Sequence, residues 1–121
     1  MKKNELPECP IETALLLFGE KWKFLILREL LGGPKRFKDL RKAVNGISDR
    51  MLSVKLGALV DDGLITKKIF AQVPPKVEYA MSELGGSLTE VFSSLYVWGE
   101  GYQQLVYSGR LKLDPPEKTE E

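Results

Sequence analysis

Apolar side chains recur along most of this chain at the three- and four-residue spacing of helices, and over one short stretch at the two-residue spacing of strands. Pro10 suits a first helical position, and Ile11, Ala14, Leu15 and Phe18 follow it up to Gly19. A second helix is predicted from about Lys21 to Leu31, with Trp22, Leu25, Ile26 and Leu30 on one stripe and Gly32-Gly33-Pro34 to stop it. A third, around Arg36 to Val44, turns Phe37, Leu40 and Val44 inward and leaves Lys38, Arg41 and Lys42 outside. Asn45-Gly46 is a turn signal, and Ser48 is a good N-cap for a fourth helix that ends near Asp62-Gly63. Leu52, Leu56 and Leu59 share one face of that helix, so Arg50, Val54 and Gly57 point the opposite way, with Ser53 on the flank.

The pattern then changes period. Leu64 to Phe70 is β-branched and aromatic, and Val77, Tyr79 and Met81 alternate with Lys76, Glu78 and Ala80. Two strands joined by Gln72-Val73-Pro74-Pro75 make a hairpin with a stiff tip. Ser82 caps a last helix, roughly Glu83 to Tyr107, in which Leu84, Leu88, Val91, Leu95, Trp98, Tyr102 and Leu105 alternate spacings of four and three. Such a seam is a helix-packing pattern. Phe92, Tyr96 and Val106 widen it beyond what one small core needs, so part reads as core and the rest as a surface for a second chain. Gly99 and Gly101 each cost about 1 kcal/mol relative to Ala inside a helix and mark a candidate kink or close approach. The organisation expected is one domain over residues 1–113, including the 83–107 helix, followed by a frayed acidic tail at 114–121.

Composition narrows the function. With 121 residues, 43% apolar and 29% charged, the chain reads as one soluble globular domain. Its apolar runs are too short to cross a bilayer, and Met1-Lys2-Lys3 is followed by no apolar segment of the export type. A single cysteine fits the reducing cytoplasm, with no membrane partner. Histidine is absent, which removes Ser-His and Cys-His nucleophiles, histidine metal sites and the usual general base. Cys9 alone cannot build a thiolate zinc site, and Gly32-Gly33-Pro34 lacks the spacing of a phosphate loop. The expectation is therefore no catalysis, no metal and no cofactor. Net charge is only +1, yet residues 21–76 hold thirteen Lys/Arg against five Asp/Glu, a net of +8, while the flanks carry −7. A basic middle between acidic ends suits a polyanionic partner.

Three short helices, a capped fourth after a tight turn, and a basic hairpin are the parts of a winged helix-turn-helix: mainly α with a small β-hairpin wing. The fourth helix fits the major groove of B-DNA, the third crosses the backbone, and the hairpin reaches a neighbouring groove or phosphates. The sequence also resembles the HxlR-type winged helix-turn-helix regulators of bacteria and archaea. The stretches that carry the resemblance are Cys9-Pro10-Ile11, Gly19-Glu20-Lys21-Trp22-Lys23, Arg36-Phe37-Lys38-Asp39-Leu40, Gly46-Ile47-Ser48 through Met51-Leu52, Asp62-Gly63-Leu64-Ile65, Val73-Pro74-Pro75-Lys76-Val77-Glu78-Tyr79 and Leu84-Gly85. They run in order over about residues 9–101.

The resemblance implies a homodimeric transcription factor on double-stranded DNA, either repressor or activator, dimeric through its first and last helices. Ile11, Leu15, Val91, Leu95, Trp98, Tyr102 and Leu105 would form that interface. Carried over by position, Ser48, Arg50, Ser53 and Val54 would face the major groove; Arg36, Lys38, Lys67, Lys68 and Lys76 would contact phosphates or, from the wing, the minor groove. Lys67 and Lys68 lie on opposite strand faces, which sends only one of them toward DNA. Asp49, Val54 and Gly57 depart from the polar or basic side chains usual in the family. Asp49 would repel phosphate, and with Gly57 it supports the alternative, a protein-interaction module without specific operator binding. Some family members use a cysteine at the position of Cys9 as a redox or electrophile sensor. A helix N-terminus favours a thiolate there and Glu8 and Glu12 oppose it, so sensor and packing residue stand as two readings.

Overall fold

Among the described residues, four of the six helix starts fall where a side chain satisfies a free backbone N–H or where a proline has none to satisfy. Pro10 opens α1 (Pro10–Phe18), and the Glu20 carboxylate accepts from Lys23 N at 2.8 Å to cap α2 (Lys21–Leu30). Arg36 precedes α3 (Phe37–Ala43) without a side-chain cap, and Ser48 Oγ accepts from Met51 N at 3.0 Å to start α4 (Asp49–Asp61). Strand β1 (Ile65–Phe70) pairs antiparallel with β2 (Lys76–Met81), Ile65 opposite Met81 and Phe70 opposite Lys76. Ser82 caps the short α5 (Glu83–Gly86), and α6 (Leu88–Tyr107) follows. These elements come from a computed structural model that describes residues 5–113; the tail expected at 114–121 lies outside the described residues.

The core collects one face from each element around the turn. Ile26, Leu27 and Leu30 of α2 meet Leu40 of α3, Val44 and Ile47 of the turn, and Leu52, Leu56 and Leu59 of α4. Leu64, Ile65 and Tyr79 close it from the hairpin. Each buried Leu or Ile contributes about 1.5–3 kcal/mol, and together they fix the angle at which α4 leaves α3. The α2 stripe is rotated relative to the sequence expectation, with Leu27 buried and Trp22 and Leu25 half-buried.

Two features depart from the expected pattern. Lys35 forms an antiparallel bridge to Tyr79 through N–H···O bonds of 2.9 and 2.8 Å, so β2 is held on both sides. One residue between Pro34 and Arg36 has no alternation to reveal it. The expected 83–107 helix is also two helices, interrupted at Ser87. A Cβ on Gly85 would lie 2.0 Å from Leu64 O, so α5 is held flat against the start of β1. Ser82 reinforces this by donating to Gly63 O at 2.6 Å and accepting from Gly85 N at 2.9 Å. By contrast, α6 runs through Gly99 and Gly101 without interruption.

The chain divides into two compact units, one ending at Leu88 and one beginning at Thr89. In the first, α3, the turn, α4 and the hairpin form a winged helix-turn-helix. The second is carried by α6.

Candidate nucleic-acid interface

The turn between α3 and α4 depends on Gly46, whose φ of +86° disfavours any residue with a Cβ. With Ser48 capping next, the first turn of α4 is ordered and its unburied side faces outward. Ser48, Arg50, Ser53 and Gly57 are exposed, and Val54 is 57% exposed, while Leu52, Leu56 and Leu59 are buried. The division of faces read from the sequence is the one observed. Arg36 and Lys38 of the α3 region are exposed too, as are Arg41 and Lys42.

Two α4 charges are already engaged. Lys55 Nζ lies 3.2 Å from Glu20 Oε2, and Glu20 is the cap of α2, so this ion pair braces α4 against α2. Lys55, counted in the basic middle, is thereby turned inward with its side chain 22% exposed. Asp49 Oδ1 is paired with Arg41 Nε across the helix-turn-helix junction. The sequence places Arg41 outside on α3 and makes Asp49 one of three departures from the family pattern; no local signal joins residues on different helices.

The hairpin separates its lysines as the strand period requires. Lys68, Phe70, Lys76 and Glu78 share one face; Ile65, Lys67, Ile69, Val77, Tyr79 and Met81 share the other. On the first, Lys68 and Lys76 ammonium groups sit 4.8 and 4.9 Å from the Phe70 ring centroid, and Lys76 is 3.4 Å from Glu78 Oε2. Lys76 is thus partly neutralised, and Lys68 is the more available cation there. On the second, Lys67 lines a groove of about 300 Å³ with Ser53, Gly57, Val60, Asp61 and Tyr79. At the tip, Val73 is 100% exposed.

Other surfaces carry the remaining expected residues. On α1, Ile11 and Leu15 are exposed. On α6, Val91, Leu95, Trp98, Tyr102 and Leu105 are exposed, with Trp98 at 71%. Trp98 and Tyr102 stack at 5.8 Å between centroids, beside an open apolar depression of about 440 Å³ lined by Val97, Gly101 and Leu105. Cys9 is exposed, takes the N-cap position of α1 without a side-chain cap bond, and accepts with its carbonyl from Thr13 N at 3.1 Å. No cluster of three potential metal ligands occurs among the described residues, and no described helix is long and apolar enough to cross a membrane.

Comparison with known proteins agrees with this geometry. A family model described as HxlR-like helix-turn-helix matches residues 17–107. The HTH-type transcriptional regulator YdeP of Bacillus subtilis (strain 168) is 41% identical, over 98% of this chain and 89% of YdeP. The solved structure of the redox regulator HypR in its reduced form has a TM-score of 0.77 at 35% identity, covering 83% of this chain and 99% of HypR. The reduced form of the transcriptional regulator YodB from B. subtilis has a TM-score of 0.72 at 33% identity, covering 83% and 96% of the two chains.

Proposed function

This chain belongs to the HxlR-like helix-turn-helix family, and on that premise we propose that it binds a specific DNA operator as a homodimer in the cytoplasm. It is a transcriptional regulator of the helix-turn-helix type. The observation that carries the finer reading is the outward face of α4, with Ser48, Arg50, Ser53 and Val54 exposed above a fully buried leucine face, inside a segment of net charge +8. Those side chains read base edges in the major groove. Arg36, Lys38, Lys68 and Lys76 hold phosphates, while Lys67, on the opposite face of β1, lines the groove beside α4. The exposed apolar faces of α1 (Ile11, Leu15) and α6 (Val91, Leu95, Trp98, Tyr102, Leu105) are covered by the second protomer. The protein-interaction alternative leans on Asp49 and Gly57; the pairing of Asp49 with Arg41 weakens the first of these, and Gly57 stays exposed on the outward face of α4.

Redox control is the second layer of the proposal. Cys9 is exposed and stands at a helix N-terminus, and the chain resembles a redox regulator over most of its length. A peroxide takes the Cys9 thiolate to a sulfenic acid, and a second thiol then condenses with it and releases water. With one cysteine per chain, that thiol is a small molecule or the partner subunit's Cys9.

Titrating a labelled operator at several salt concentrations tests the reading. If the dimer neutralises ~6–10 phosphates, affinity falls by roughly three to five decades between 50 and 200 mM salt. A flat response would remove the basic segment from the mechanism.

A further inference from the structure

The Arg41–Asp49 pair joins the last turn of α3 to the first residue of α4, and both side chains are more than half exposed, at 56% and 68%. Exposed pairs add little to stability, so this one matters for what it presents. The N-terminal turn of a recognition helix is the part that comes nearest to DNA. An unpaired carboxylate there repels phosphates. Here Asp49 engages Arg41 through Nε, and among the described residues the Nη1 and Nη2 groups carry no other ion pair. A guanidinium is a rigid planar fork, so fixing it by Nε fixes the direction of its remaining donors. A lysine ammonium would keep two N–H donors after one contact, but on a rotating group whose direction that contact does not fix.

We propose that Asp49 is a positioning residue: it holds the Arg41 guanidinium at the junction of α3 and α4 so that Nη1 and Nη2 meet a DNA phosphate at the edge of the major groove. The assignment rests on the DNA-binding reading above. It gives a negatively charged residue on the reading helix a favourable role, and so it reverses the sign expected from simple repulsion.

The test is a set of four proteins, wild type, Asp49→Ala, Arg41→Ala and the double variant, titrated against one selected operator at several salt concentrations. Thermal melts of all four accompany the titrations. Asp49→Ala in the wild-type background weakens binding about tenfold, although it removes a negative charge from the interface. It also lowers the salt slope by about 0.9 per half-site, because one ordered phosphate contact is lost. In the Arg41→Ala background the same substitution leaves affinity unchanged or tightens it, since the remaining carboxylate then only repels. Unchanged or tighter binding by Asp49→Ala alone overturns the assignment. So does an equal loss in both backgrounds, which would mark a structural effect on α4. Absence of salt-dependent binding by the wild type overturns the DNA-binding reading itself, and this assignment with it.

Discussion

At residue 85 a methyl group would stand 2.0 Å from Leu64 O, inside any non-bonded contact distance. That oxygen is not free to yield, because it also accepts Ser82 N–H at 3.1 Å. Gly85→Ala must therefore push α5 away from β1 and loosen Ile65 and Leu64 in the core. The expected cost is about 1–3 kcal/mol, read as a lowered melting temperature by circular dichroism, and a melt equal to wild type would contradict the close approach. Cys9 is the other residue whose chemistry depends on one atom. If it is the sensor, oxidant lowers operator affinity for wild type and leaves Cys9→Ser unaffected, with a new thiol adduct or a crosslinked dimer on non-reducing gels. Equal loss in both proteins, or no loss in either, overturns the sensor reading.

Among the elements, the proposed function divides the work between α4, which would read, and the wing, which would hold. Arg50 lies on the outward face of α4, so Arg50→Ala costs about 1–3 kcal/mol on the preferred site and relaxes one position in each half-site. Lys76 is shared among Phe70, Glu78 and any phosphate, so Lys76→Ala weakens binding to all sequences alike and by less. Selection from random DNA separates the two; an unchanged motif for Arg50→Ala means α4 is oriented differently. The elements that carry these roles were legible in the sequence because their signals are local. Pro10, Ser48 and Ser82 mark helix starts within a few residues, and the leucines of α4 announce its buried face at one spacing. The pairings that lock the elements together were not legible, since each joins residues with no periodic relation. Lys35 to Tyr79, Glu20 to Lys55 and Arg41 to Asp49 are all of this kind. The break at Ser87 was hidden for a related reason: the apolar spacing continues across it, and it shows only in Ser87, whose N–H and hydroxyl both donate to Leu84 O.

For the whole molecule, the exposed apolar side chains of α6 set the assembly expected in solution. Tyr102 and Leu105 are 38% and 42% exposed on that helix, and a carboxylate at either place would be stranded in an apolar interface. Tyr102→Glu and Leu105→Glu are each expected to sediment as monomers and to lose cooperative binding to paired half-sites. An unaltered dimer for both variants would place the interface elsewhere. The Lys35 bridge has a different consequence, one that concerns unwanted assembly. Because β2 is paired on both sides, β1 is the open rim of the sheet, and that rim carries Thr66, Lys67 and Lys68 in its middle. An open strand edge is a template for stacking onto other chains, and lysines on it are a common deterrent. These two lysines, one of them proposed to hold a phosphate, are thereby also expected to deter such stacking when no DNA is present. Replacing both by threonine, a good strand former without charge, should produce concentration-dependent light scattering that added DNA does not dissolve, whereas either single replacement should remain clear.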